Sequence, residues 1–353
     1  MNIGLIDVDG HHFPNLALMR LSAWHKAQGD SVEWWDGFKH YDRVYMSKVF
    51  TFSPDMETCV NADEIITGGT GYKDYGSLPA EVEHTFPDYS LYPEWKPAIG
   101  FLTRGCIRNC PWCIVPKKEG IIRPAATWEE VKRPDSRDIV FMDNNVLAHE
   151  HGLEQIERMG HENVRVDFNQ GLDARLITPH TAKLLAGMKW IKFVRVSCDT
   201  SAMLPVIEQA TAYLKEAGVQ PWRFWCYVLV QDVEESHKRI LALRDMGVQP
   251  FAQPYRDYDG GEPTEEQKKV LKQLAGEHRI YVLGEQSSAY TSFLLEAVVL
   301  DEYVRKQLYL LPEAWEFFSG FDGYVGNAAL EDDVTEKICK TFGVKKGEYG
   351  NKK

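Results

Sequence analysis

Short apolar strands alternate with helical segments along most of the chain, and this alternation constrains the fold more than any other feature. Six strand-like runs, each followed by an amphipathic segment, occupy residues 98–103, 137–143, 163–169, 192–199, 222–230 and 248–255. Strands separated by helical crossovers pair in parallel, because each crossover returns the chain to the same edge of the sheet. The pattern predicts a parallel α/β barrel, partial or full, within residues 98–260.

A smaller unit of the same kind precedes the barrel. Its strand-like runs are at residues 2–8, 31–35, 42–50 and 63–69. A helical pattern at residues 16–29 follows the first run, and Gly29 is placed to end that helix. We therefore predict a small parallel α/β unit over residues 1–70.

Two stretches depart from the alternation. Residues 71–97 are rich in Pro, Tyr and Asp, which is typical of a linker or of an arm laid over the next domain. Residues 261–353 predict a mostly helical C-terminal extension without internal repeats, and the sequence assigns it no role. The predicted fold class is thus α/β: a small N-terminal unit, a partial (β/α)6 barrel and a helical extension.

Composition limits the class of protein. The 353 residues carry a formal net charge of −12, which disfavours broad capture of nucleic acid and counts against RNA modification. The sequence has no run of eighteen apolar residues and no signal-peptide pattern at its start, so we expect a cytoplasmic protein without a membrane partner. An odd number of cysteines, seven, does not suggest a secreted disulfide framework.

Three cysteines lie together in the stretch GCIRNCPWC, directly after the strand-like run at 98–103. Cys106, Cys110 and Cys113 are spaced C-x3-C-x2-C. Thiolates are the natural ligands of iron–sulfur clusters and of zinc. Three ligands would leave one iron of a four-iron cluster open, whereas structural zinc needs a fourth ligand and none is suitably spaced. Three ordinary thiols, or zinc with a distant fourth ligand, are the alternatives.

This spacing, with the aromatic Trp112 just before the last cysteine, resembles the signature of the radical SAM superfamily. The resemblance covers roughly residues 98–260 and implies a [4Fe–4S] cluster on the three cysteines, shielded by Trp112. The open iron would chelate S-adenosylmethionine. Reductive cleavage of S-adenosylmethionine would give a 5′-deoxyadenosyl radical that abstracts hydrogen from an unidentified small molecule or peptide. An external donor such as flavodoxin or ferredoxin would supply the electron.

Polar residues after further strands are the expected contacts to S-adenosylmethionine. Asp143, Asn144 and Asn145 stand where the superfamily has a Gly-Gly-Glu motif that holds the amino group, although a turn or helix cap also explains them. The later strand ends contribute Asn169, Gln170, Arg175, Ser197 and Asp199. Arg175 suits a carboxylate of the cofactor or of a substrate, and a structural ion pair with Asp173 is the alternative.

The N-terminal unit resembles a shortened cobalamin-binding domain. Asp9, His11, Ser47 and the pair Gly68–Gly69 match parts of its motif, whereas Pro14 and Val49 replace expected residues. Cobalamin is therefore possible but not favoured; its presence would indicate methyl transfer to an unactivated carbon. A non-catalytic iron–sulfur or zinc protein that senses redox state or binds a partner is the other alternative. The polar groups at successive strand ends favour an enzyme, because a structural metal site does not need them.

Overall fold

The computed structural model describes residues 1–9, 13–51, 53, 55–56, 58–230 and 233–254. These residues form two compact units. The first comprises Met1–Gln170 and Gly187–Ile191, and the second comprises Gly171–Ala186 and the described residues from Lys192 onward. The predicted extension at 261–353 lies outside the described residues.

The first unit begins with a four-stranded parallel sheet. Its elements are β1 (Asn2–Asp7), α1 (Leu16–Ala27), β2 (Ser31–Trp34), β3 (Tyr41–Ser47) and β4 (Ala62–Gly68). The strand order is β2-β1-β3-β4, with Ile3 opposite both Val32 and Arg43. Asn15 caps the N-terminus of helix α1: its side chain accepts a hydrogen bond from the Leu18 N–H at 3.3 Å. All four predicted strands and the helix are present.

A second parallel sheet belongs to the same unit. Its strand order is β10-β9-β8-β5. Between β5 and β8 the chain also forms a two-stranded antiparallel pair, β6-β7. The strands are β5 (Ala98–Gly100), β6 (Thr103–Arg104), β7 (Arg123–Pro124), β8 (Asp138–Phe141), β9 (Arg165–Phe168) and β10 (Lys189–Trp190). The helices between residues 80 and 160 are α2 (Ala80–Glu83), α3 (Val115–Lys118), α4 (Trp128–Val131) and α5 (Glu150–Gly160).

Residues 71–97 pack into the first unit and do not form an exposed connection. Val82 and Leu91 are buried in one apolar cluster with side chains of β1, α1 and β5, which are Ile3, Leu5, Leu16, Leu18, Met19, Leu21 and Ile99. Burial of these side chains joins both sheets of the unit around a common core. The predicted boundaries at residues 70 and 97 therefore do not coincide with the compact units.

Asp88 links residues 71–97 to helix α1 through hydrogen bonds. Its carboxylate accepts hydrogen bonds from the Ser22 hydroxyl at 2.6 Å and from the Lys26 ammonium at 2.6 Å. The Ser90 backbone N–H donates to the same side chain at 3.0 Å. Partial burial alone would raise the pKa of Asp88. The hydrogen-bond donors have the larger combined effect and lower the pKa to about 2.

The second unit contains a three-stranded parallel sheet in the order β11-β12-β13. Its elements are α6 (Pro179–Gly187), β11 (Val194–Ser197), α7 (Leu204–Glu216), β12 (Phe224–Val230), α8 (Val233–Asp245) and β13 (Gln249–Pro254). Phe193, Trp225 and Phe251 stack at its centre, with ring centroids 4.6 and 5.3 Å apart.

The predicted mixed α/β class with parallel sheets is confirmed. All six strands expected for the barrel are present, three in each unit. Within the described part of the chain, every helix is too short or too polar to cross a membrane.

Asp88→Ala should destabilise the first unit at neutral pH. Because the folded-state pKa is depressed to about 2, the contribution of Asp88 is present above about pH 4 and is lost as the pH falls toward 2. We expect a loss of about 1 to 2 kcal/mol at pH 7, allowing for solvent screening at this partly open site. Urea unfolding at pH 7, 5, 4 and 3 measures it. The exposed Glu94→Ala serves as control, and a deficit that does not shrink with falling pH would contradict the assignment.

Candidate functional site

The cysteine loop starts at the carboxyl edge of the second sheet. The last residues of the three strands β5, β8 and β9 lie abreast, because Gly100 pairs with Phe141 and Phe141 pairs with Phe168. The segments that follow these strands therefore begin side by side. This edge is where parallel α/β proteins place their ligands, and it receives the predicted residues Cys106, Asp143, Asn144, Asn145, Asn169 and Gln170.

Asp143 joins the segment after β8 to the segment after β5. Its carboxylate accepts hydrogen bonds from the Leu102 N–H at 3.0 Å, the Thr103 N–H at 2.5 Å and the Thr103 hydroxyl at 2.8 Å. The side chain is buried, and this burial raises the pKa of Asp143 to about 6 against the opposing effect of its donors. Asp143 therefore anchors the entrance of the cysteine loop; its predicted contact with S-adenosylmethionine stays a prediction.

Asn144 reaches the cysteine loop through Glu119, a residue that the sequence did not single out. One Glu119 carboxylate oxygen accepts the Gly105 N–H at 2.9 Å and the Asn144 side-chain amide at 2.9 Å. The Arg104 guanidinium pairs with the same oxygen at 3.1 Å, and only 6% of the Glu119 side chain is exposed. A sequence signal existed, since Glu119 is the single acidic residue between Arg104 and Arg123.

Cys106 is held by several hydrogen bonds. Its N–H donates to the Gly120 carbonyl oxygen at 3.1 Å. Its sulfur accepts the Arg108 N–H at 3.3 Å and the Asn145 side-chain amide at 3.4 Å. Asn145 is buried, so this amide approaches the sulfur from inside the protein.

Gly105 allows the loop to pass close to the chain segment that leaves it. Its φ is +84°, in the left-handed region. A Cβ atom there would lie 2.6 Å from the Ile121 carbonyl oxygen and 2.7 Å from that of Gly120. Glycine is therefore required both by the backbone conformation and by the available space.

None of the three cysteines of the loop forms a disulfide with another described cysteine. Cys106 and Cys110 are half-buried, Cys113 is exposed, and the Cys113 N–H donates to the Cys110 carbonyl oxygen at 3.0 Å. Trp112, the predicted shield, is half-buried. Among the described residues, no group of three or more His, Cys, Asp or Glu side chains is close enough to hold a metal ion. The donor set suits a soft metal, and its sulfurs would have to gather when the metal binds.

The remaining predicted contacts divide between the units. Asn169, half-buried, and Gln170, exposed, follow β9 in the first unit. Arg175, Ser197 and Asp199 belong to the second unit. Arg175 forms an ion pair with Asp173, with its Nε 2.6 Å from the carboxylate oxygen. This is the structural alternative considered from the sequence.

The pH dependence of stability should reveal the buried Asp143. Its folded-state pKa of about 6 lies above the ordinary value, so its contribution is fully present below about pH 4 and is lost as the pH rises through 6. That loss is about 2 to 3 kcal/mol. We expect Asp143→Asn, which cannot ionise, to lack this component. Urea unfolding of both proteins from pH 4.5 to 7.5 tests it, and a pH-independent difference between them would refute the shift.

A pair of glycine variants isolates the close approach at Gly105. Gly105→Ala meets two carbonyl oxygens, whereas Gly120→Ala has the same handedness, with φ +71°, but open space around its Cβ. Gly120→Ala should cost about 1 kcal/mol, and Gly105→Ala should cost distinctly more. Thermal unfolding and alkylation rates of the loop cysteines measure the difference, and equal effects of the two variants would argue against a steric role.

Comparison with known proteins adds no family to this geometry. No protein-family model matches the chain, and no curated protein sequence matches it.

Proposed function

We propose that this chain is a radical SAM enzyme whose cysteine loop binds a [4Fe–4S] cluster through Cys106, Cys110 and Cys113. One observation carries the proposal: three closely spaced cysteines follow a strand of a parallel sheet at the edge where polar segments from two neighbouring strands also begin. The spacing of the thiols and the position of the loop both match what the resemblance requires.

Bound there, the cluster would supply one electron that splits the C5′–S bond of S-adenosylmethionine into methionine and a 5′-deoxyadenosyl radical, which takes hydrogen from the substrate. The residues of the chain supply position. Asp143 and Glu119 fix the start of the loop through backbone N–H groups. Asn169 and Gln170, which follow β9 in the same unit, are proposed polar contacts of S-adenosylmethionine.

We further propose that the six predicted strands form a partial (β/α)6 barrel. Arg175, Ser197 and Asp199 are cofactor contacts under that proposal.

Cobalamin is not part of the proposal, because Pro14 and Val49 stand where its motif has other residues. The Asp9 carboxylate accepts the Val49 backbone N–H, and the Ser47 hydroxyl accepts the Asn15 amide at 2.8 Å. A Cβ atom at Gly71 would collide with the Lys48 side chain, so that side chain fills the space beside the glycine turn. His11 lies outside the described residues.

The surroundings of the loop suit a negatively charged electron donor of the flavodoxin or ferredoxin type. Ile107 and Ile121 are exposed, 49% and 82% respectively. Lys117 and Arg123, also exposed, follow the cysteines in a stretch with one acidic residue, although the chain as a whole is acidic. Such a patch attracts acidic partners by charge complementarity.

The proposal predicts cluster-dependent formation of 5′-deoxyadenosine. Protein reconstituted anaerobically with iron and sulfide, then given dithionite and S-adenosylmethionine, should release it. Each of Cys106→Ala, Cys110→Ala and Cys113→Ala should lose both the cluster and the product, because a four-iron cluster held by two thiolates is poorly retained. Cys59→Ala, at an exposed cysteine outside the loop, should retain both. Iron and sulfide content and product chromatography are the measurements.

Two outcomes would overturn the proposal. A stable cluster without cleavage of S-adenosylmethionine would favour a redox-sensing or binding protein. Stoichiometric zinc that excludes iron would favour a structural metal site.

A further inference from the structure

Asn145 directs its side-chain amide to the sulfur of Cys106. The amide nitrogen lies 3.4 Å from that sulfur, and the Arg108 backbone N–H lies 3.3 Å from it. Both distances are typical of N–H···S hydrogen bonds, which are longer than those to oxygen because sulfur is larger. Cys106 thus receives one donor from its own loop and one from the segment after β8.

The segment that carries Asn145 and the segment that carries Cys106 are joined by further hydrogen bonds near their contact. Asp143, two residues earlier, bonds to the backbone of Leu102 and Thr103, and Asn144 bonds to Glu119. Glu119 in turn holds the Gly105 N–H, next to Cys106. The amide and the sulfur are therefore brought together by elements braced on either side.

We propose that Asn145 is a positioning residue for the cluster: it donates an N–H···S hydrogen bond to the ligand Cys106 and raises the reduction potential of the cluster. This inference rests on the proposed function. It replaces the expectation that Asn145 holds the amino group of S-adenosylmethionine.

The direction of the effect follows from charge. Reduction adds an electron to a cluster whose negative charge is shared by its sulfur ligands. A fixed N–H dipole pointing at such a sulfur stabilises the reduced form more than the oxidised form. Removal of the donor should therefore make the potential more negative.

The burial of this side chain argues against a role at the amino group of the cofactor. Only 2% of Asn145 is exposed, so its surface is closed to a ligand at the sheet edge.

The test compares potentials of reconstituted proteins without S-adenosylmethionine, by redox titration monitored by electron paramagnetic resonance. Asn145→Leu keeps the approximate volume and removes the donor, so the midpoint potential should shift to a more negative value. Asn145→Asp keeps the shape and, in titrations at alkaline pH where the carboxyl group is ionised, places a negative charge at the sulfur, so the shift should be larger. Asn163→Leu is the control: this asparagine is exposed and lies before β9, away from the cysteine loop, and the potential should stay at the wild-type value.

Cluster loading and affinity for S-adenosylmethionine, measured on the oxidised proteins, separate the possible failures. If wild-type protein forms no cluster, the proposed function itself fails and this inference fails with it. If wild-type protein forms a cluster and Asn145→Asp has the same potential, the inference fails and the proposed function stands. Weaker binding of S-adenosylmethionine at an unchanged potential would return Asn145 to the amino group and overturn the inference. Should Asn145→Leu not fold, the aspartate variant alone decides.

Discussion

The buried carboxylate of Asp143 is the contact on which the candidate site depends. A carboxylate removed from water costs free energy unless donors surround it. Two backbone N–H groups and one hydroxyl supply them here. Those donors belong to the residues directly before the cysteine loop, so one side chain sets where the loop leaves the sheet. Glu119 repeats the arrangement at Gly105 and Arg104, and Asn145 extends it to the Cys106 sulfur. Acidic and amide groups from the segment after β8 and from the returning part of the loop thereby determine the path of the chain through its first cysteine.

The same unit shows why its two sheets are not separate domains. The stretch between them carries aromatic and aliphatic side chains that bury against α1 and β5, and Asp88 adds polar bonds to the helix. Burial of apolar surface does not depend on direction, so a segment with such side chains packs into a nearby core. Strand β5 of the second sheet therefore packs against residues that precede it in the sequence.

The strands, the long helices and the place of the cysteine loop could be predicted because they follow from local periodicity and spacing. Gly29, for example, ends α1 with a φ of +87°. The braces of the loop could not be predicted in this way. Asp143 bonds to residues 40 and 41 positions away, and Glu119 bonds to Asn144 at a separation of 25. The composition of residues 71–97 suggested a connection, because proline and aspartate indicate turns while the buried Val82 and Leu91 carry no periodic signal. The grouping of six predicted strands into two sheets also depends on contacts that no local pattern contains.

The short antiparallel pair β6-β7 gives the cysteine loop a closed base, since Thr103 and Arg104 pair with Pro124 and Arg123. A chain whose ends are already joined has fewer conformations to lose than an open chain of equal length, because loop closure carries an entropic cost. A closed base limits how far the three thiols can separate, which raises their effective concentration toward one another. If the loop binds iron as proposed, capture of the first iron by one sulfur would make binding by the other two an intramolecular event. The fold would then lower the entropic cost of cluster assembly without fixing the sulfurs in their final positions.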